Sequence, residues 1–227
     1  MRLVSRAVIQ LVLTAALAAA AGDQQAILAR MDQAAASFQS MSAQVTKITH
    51  TAVINDDSKE SGVIRLKRSG ARDIRMLVEI SAPEAKSYAL RGRKAEIYYP
   101  KIQTVQEYDL GKHSQLMDQF LLLGFGTPSQ SLRKNYSVKV LNEEVVAGVK
   151  ASRLELVPKS EKAREYLAKA ELWVSHADGR TVQQKFHEPS GDYRLVTYTS
   201  IQWNPPLGDS ALALALPISV KREYPQR

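Results

Sequence analysis

The stretch Asp73-Ile74-Arg75-Met76-Leu77-Val78-Glu79-Ile80 decides the fold. Ile74, Met76, Val78 and Ile80 fall on one side of a two-residue repeat; Asp73, Arg75 and Glu79 fall on the other, with Leu77 the exception. Such alternation reads as an antiparallel strand with one face buried and one wet. Upstream, 62–68 puts Ile64, Leu66 and Arg68 on one face, and 43–54, rich in Val, Thr and Ile, is a further strand. Asn55-Asp56-Asp57-Ser58 and Ser69-Gly70 supply the turns between them. Downstream, strands at 86–91, 95–99 and 102–109 follow through Arg91-Gly92-Arg93 and Pro100-Lys101. Strands that succeed one another through short turns make a meander, since parallel crossovers would need helices between them.

Further outward the period changes. Ile27, Leu28, Met31, Ala35 and Phe38 recur at helical spacing after Asp23, a candidate N-cap. Leu116, Met117, Phe120 and Leu121 form a second helical stripe over 114–123, ending at the glycines of Gly124-Phe125-Gly126, and Thr127-Pro128-Ser129 opens a short helical turn. Strands resume at 136–141, 144–147, 150–157, 170–175, 180–187, 193–203 and 211–216, with Ala147-Gly148 and Asp178-Gly179 as hairpin turns and a helical connector at 161–167. The expected architecture is mainly β with some α: a curved antiparallel sheet of about 10–11 strands, covered by short helices.

Residues 1–22 read as a secretory signal peptide. Arg2 and Arg6 precede an apolar stretch from Ala7 to Leu17, which meets the small-residue run Ala18-Ala19-Ala20-Ala21-Gly22. Removing them leaves 205 of the 227 residues, expected to form one domain over 23–227, and loss of the two arginines lowers the formal charge from +8 to +6. The chain has no cysteine, which excludes a disulfide scaffold, thiolate metal sites and lipid attachment at the cleavage point. No later stretch reaches 18 apolar residues, so the expected compartment is the periplasm. The basic residues are dispersed without interleaved aromatics, which argues against nucleic acid.

Catalytic signatures are missing from the sequence: it holds no GxSxG elbow and no HExxH pair. His50, His113, His176 and His187 have no ligand spacing, and Asp56-Asp57 and Glu143-Glu144 lie in or beside turns, where neighbouring carboxylates point apart. An enzyme would need Arg68, Tyr99, His113 and a carboxylate to converge. The reading is therefore a protein that is not an enzyme, with no cofactor and no metal. Arg68 stands out because strand parity turns it toward the apolar face, where a guanidinium needs partners.

Several short motifs then fall in a familiar order: Gly62-x-x-x-x-Lys67-Arg68, Arg91-Gly92-x-x-x-x-Ile97-x-Tyr99-Pro100, Leu156-Val157-Pro158-Lys159, Asp178-Gly179 ahead of Val182, and a closing apolar segment ending at Pro217. In this order the chain resembles the LolA-type periplasmic lipoprotein carriers and their lipoprotein-sorting relatives over roughly 24–220. The resemblance implies an incomplete β-barrel closed by a helical lid, with Arg68 as the lid-closing residue. It also implies a monomeric carrier of lipoprotein acyl chains or another lipid, passing cargo from an inner-membrane exporter to an outer-membrane acceptor. Combining strand parity with this fold, the expected cavity set is Leu28, Met31, Phe38, Ile64, Leu66, Met76, Val78, Ile97, Tyr99, Met117, Phe120 and Leu121. The alternative is an envelope-stress sensor of the same fold that binds a protein partner.

Overall fold

The computed structural model describes residues 24–70, 73–111 and 123–226. Twelve strands form one sheet, β1 (Ser40–Thr51), β2 (Asp56–Gly70), β3 (Asp73–Ala82), β4 (Lys86–Arg91), β5 (Lys94–Tyr99), β6 (Thr104–Asp109), β7 (Tyr136–Val146), β8 (Val149–Pro158), β9 (Lys169–Ser175), β10 (Thr181–His187), β11 (Tyr193–Trp203) and β12 (Lys221–Glu223). Their order is β12-β6-β5-β4-β3-β2-β1-β11-β10-β9-β8-β7. Two antiparallel meanders, β1–β6 and β7–β11, are therefore joined where β1 pairs with β11, with Val45 opposite Tyr198. The sheet curves without closing, as an incomplete barrel. Helix α1 runs through 24–37, α2 is Ser129–Asn135 and α3 is Glu161–Arg164.

Burial follows the helical repeat in α1: Ile27, Leu28, Met31, Ala35 and the following Phe38 are all buried. Ile27, Leu28 and Met31 pack on Leu154, Leu156, Ala170 and Leu172, the concave face of the C-terminal meander. A second cluster joins Phe38, Met41, Ala43, Val45, Ile64, Leu66 and Ile74 to Phe125 and Tyr198 across the seam. Asp23 and the 114–121 stripe lie outside the described residues.

Four local readings are corrected. The first strand ends at Thr51, because Ala52–Ile54 wind into a 3-10 turn closed by Asn55 in the left-handed region, φ 47°. Asparagine tolerates that conformation, so the turn forms ahead of Asp56 and Asp57, which join β2. Pro100–Ile102 form a similar turn, so β6 starts at Thr104. The two segments expected over 136–147 are one strand with a register shift between Val140 and Asn142. Residues 211–216 are not a strand. Ala211 and Leu212 end a 3-10 turn, Asp209–Leu212, that crosses the convex side of β2 and β3, held there by Lys67 Nζ donating to Leu207 O at 2.6 Å and Arg75 pairing with Asp209 at 2.7 Å. Leu77, the exception to the alternation in β3, shares the face of Arg75, on the side this segment crosses, and is buried. The chain then reaches β12, which pairs in parallel with β6 and brings the count to twelve.

Candidate functional site

Among the described residues, α1 fills the concave face of the C-terminal meander and no helix fills that of the N-terminal meander. Between them lies a cleft of about 700 Å³. One wall comes from β2 and β3, where Ile64 faces Val78 and Leu66 faces Met76 across the ladder. The opposite wall is Phe186, Val196 and Tyr198 from β10 and β11, with Val45 at the seam. Met76, Val78, Phe186 and Val196 are only partly buried, so apolar surface is left open to the cleft.

One end is closed by the turn 123–126, and three polar side chains from the sheet fix its carbonyls. Gln184 Nε2 donates to Leu123 O, Thr181 Oγ1 donates to Gly124 O at 2.8 Å, and Arg68 Nη2 donates to Gly126 O at 2.6 Å. The Arg68 guanidinium also lies 5.4 Å from the centre of the Phe38 ring. Burial lowers its pKa from the ordinary arginine value, and the bond to Gly126 satisfies one of its donors. Phe125 meets Tyr198 edge-on at 5.0 Å, and the Tyr198 hydroxyl donates to Gln184 Oε1 at 2.6 Å. Burial pushes the Tyr198 pKa well up, so this phenol stays neutral.

The other end is polar. Lys47 and Lys86 both pair with Glu60, and their ammonium groups lie 5.9 and 5.7 Å from the centre of the Tyr88 ring. Burial raises the Glu60 pKa, but bonds from the two lysines outweigh it and hold the carboxyl below its ordinary value. Arg194 pairs with Glu188 at 2.7 Å on the facing wall. An apolar trough with charged groups at one end suits an amphiphile. Among the described residues, no group of three or more His, Asp or Glu is gathered for a metal.

Of the residues singled out by sequence, Ile64, Leu66, Met76 and Val78 line the cleft. Phe38 is buried at its closed end beside Arg68. Leu28 and Met31 sit in the core beneath α1, away from the cleft lining. Ile97 and Tyr99 lie on β5, with Ile97 opposite Tyr88 but beyond the cleft lining. Met117, Phe120 and Leu121, like His113, are outside the described residues. The sequence set lacks Val45, Phe125, Gln184, Phe186, Val196 and Tyr198. Alternation within β10 and β11 pairs Gln184 with Phe186 and Val196 with Tyr198, but says nothing of which face is concave.

By sequence, the chain matches no family model and no curated protein. By structure it is similar to an uncharacterized conserved protein from Thermus thermophilus, with 14% identity over 89% of this chain and 99% of that one, TM-score 0.52. It is similar to LprF from Mycobacterium bovis, with 9% identity over 86% of this chain and 98% of that one, TM-score 0.50. MucB is a further neighbour, with 18% identity over 86% of this chain and TM-score 0.51. The chain shares the fold of these three proteins, a curved, incomplete β-barrel. It spans 64% of the MucB chain, so the likeness covers only part of that protein. At these identities the comparison speaks for architecture, and the cleft chemistry rests on the residues named above.

Proposed function

We propose that the protein is a periplasmic carrier that shields the acyl chains of a lipoprotein, or of another lipid, in the cleft. The observation that carries the reading is an apolar trough of about 700 Å³, fixed shut at one end by Arg68, Thr181 and Gln184 and charged at the other. At the roughly 30 Å³ that a water occupies in the liquid, such a volume has room for on the order of twenty small groups. Moving a methylene from water into apolar surroundings gains ~0.8 kcal/mol. Ten buried methylenes thus gain roughly 8 kcal/mol, which corresponds to micromolar affinity before ordering costs are subtracted. That is strong enough to hold an acyl chain and weak enough to release it. Transfer of this kind needs no bond made or broken, so no catalytic group is required.

The signal-like sequence at 1–22 supports export to the periplasm. Arg68, bonded to the 123–126 turn, would act as the latch of the closed end, and an inner-membrane donor and outer-membrane acceptor would load and empty the cleft. Native mass spectrometry on protein recovered from a bacterial envelope, with lipid extraction, tests the reading. Near one-to-one acylated cargo is the expected result. Protein that is empty and also fails to bind a fluorescent fatty acid would overturn it.

A further inference from the structure

Eight large apolar side chains are exposed among the described residues, and five of them stand at one end of the sheet. In an antiparallel meander alternate turns share an end, which puts the 52–55 and 100–103 turns together. The connection between β8 and β9, which carries Tyr166, falls at the same end. Ala52 N–H donates to Asp192 Oδ1 at 2.8 Å, tying the β10–β11 loop to it as well. Lys221 N–H donates to Gln103 O at 2.9 Å, which seats the 217–220 turn beside the 100–103 turn. The protruding residues are Val53 (90% exposed), Ile54 (68%), Ile102 (65%), Tyr166 (50%) and the fully exposed Ile218.

The two hairpin tips are built alike. Each is a 3-10 turn closed by a backbone bond of 3.2 Å and capped by a residue at φ 47°, Asn55 in one and Gln103 in the other. Turns normally carry polar residues; here rigid turns hold aliphatic side chains out into solvent. A single exposed aliphatic residue is ordinary. Aliphatic residues on three separate turns at one end are a pattern. The cleft also opens at this end: Lys47, Tyr88, Tyr166 and Arg194 lie toward it, whereas Arg68 and Gly126 close the other.

We infer that this end docks on a lipid bilayer, with Val53, Ile54, Ile102 and Ile218 inserted and the cleft mouth facing the membrane. Side chains that project from three separate turns give a rigid protein partner no continuous face to bury. A fluid bilayer accepts each of them independently. Charge is not the driving term, because cations and acids alternate at the tips, as in the Lys101–Glu84 pair at 3.5 Å. The insertion surface stands on the exposure pattern; its use in loading the cleft rests on the lipid-carrier reading. A mouth held at the membrane lets an acyl chain pass into the cleft without crossing water.

The chain has no cysteine, so an introduced one takes a single label. The full chain is prepared as Ile54→Cys, Ile102→Cys and, away from this end, Val145→Cys, each carrying an environment-sensitive fluorophore. Vesicles of phosphatidylethanolamine and phosphatidylglycerol should shift the emission of the first two to the blue at low and high salt alike, and leave the third unchanged. No shift at 54 and 102, an equal shift at 145, or a shift abolished by salt overturns the proposal, as does one that needs an added membrane protein. The V53S/I54S/I102S/I218S chain should hand a bound fluorescent fatty acid to the vesicles at least tenfold more slowly, with unchanged affinity in solution; an unaltered rate counts against docking. A parent chain that binds no fatty acid in solution would sink the carrier reading, while the label shifts would still decide insertion.

Discussion

Replacing Arg68 by methionine should loosen the closed end of the cleft and leave the sheet intact. The change removes the 2.6 Å bond to Gly126 O and the cation 5.4 Å from the Phe38 ring. A hydrogen bond from a charged donor contributes ~1.5–3 kcal/mol and a cation over an aromatic ring ~0.5–1 kcal/mol. Against this, burial already disfavours the charged guanidinium, so its removal returns part of that sum. A net loss of roughly 2 kcal/mol is expected, confined to the turn, which corresponds to about 30-fold faster amide exchange at 123–126. Phe125 belongs to the same turn and lines the cleft, so a fatty-acid probe should displace it more easily and bind up to about 30-fold more tightly. Gly126→Ala reaches the same bond from the other side. A Cβ there would overlap Arg68 Nη2 and come within 3.0 Å of Phe38 Cδ1. The guanidinium is the far end of a flexible side chain and gives way, so the bond is lost again. Because both changes remove one interaction, the double variant should cost little more than either single one. Unchanged exchange in the single variants, additive losses in the double, or weaker probe binding would each show that Arg68 does not latch the turn.

Three further outcomes are expected. Gly62→Ala should cost more than about 3 kcal/mol, because the added Cβ would overlap Glu79 O and lie 2.8 Å from Ile80 Cα, both backbone that has no room to move; a melting temperature near that of the parent would contradict this. Val78→Asp places a carboxylate on the apolar cleft wall and should weaken fatty-acid binding at least 100-fold, about 3 kcal/mol, while circular dichroism stays unchanged; normal titration of the probe would remove Val78 from the binding wall. Glu171 is buried on the convex face. Burial raises its pKa, but bonds from Lys169 at 3.1 Å and Arg153 at 2.9 Å outweigh that and hold it below the ordinary value, with His187 3.5 Å away. Its contribution to stability is therefore present above the unfolded carboxylate pKa and is lost as pH falls through the lower folded one. The parent should lose more melting temperature than Glu171→Gln between about pH 5 and pH 3, and parallel curves would mean that Glu171 is not held ionised by its neighbours.

The fold was legible where one residue type dominates each face. The expected bounds of β4, Lys86–Arg91, and β11, Tyr193–Trp203, are those of the structure. Alternation misleads at Leu212, Leu214 and Leu216, because a segment that crosses the convex face of a sheet and a strand within it can share one apolar pattern. Only backbone pairing separates the two, and the 211–216 segment has none in the sheet. The β2–β3 wall of the site was legible because Ile64, Leu66, Met76 and Val78 lie on adjacent strands joined by a short turn, so parity carries across. The facing wall was not. It depends on β11 returning to pair with β1, Val45 with Tyr198, across some 150 residues of chain, and no local pattern records that closure. Leu28 and Met31 show the same limit: the helical repeat identifies the apolar face of α1, but not that it covers the C-terminal meander rather than the cleft.

The two halves of the concave face differ in a way that composition does not explain. Leu154, Leu156 and Leu172 of the C-terminal meander are fully buried, whereas Met76, Val78, Phe186 and Val196 around the cleft are not. Fully burying a side chain of that size stabilises by ~1.5–3 kcal/mol. Domains of this kind are stable by only ~5–15 kcal/mol in total, so an apolar wall left open is a substantial loss. Closing it from this end would require an inward shift of the turn carrying Phe125, yet that turn is held from the sheet at three carbonyls by Gln184, Thr181 and Arg68. Those polar bonds keep the end wall at one fixed position, so the empty volume is maintained by specific contacts and not by poor packing. A gap held open against the tendency of apolar surface to close is the arrangement that the proposed carrier role calls for.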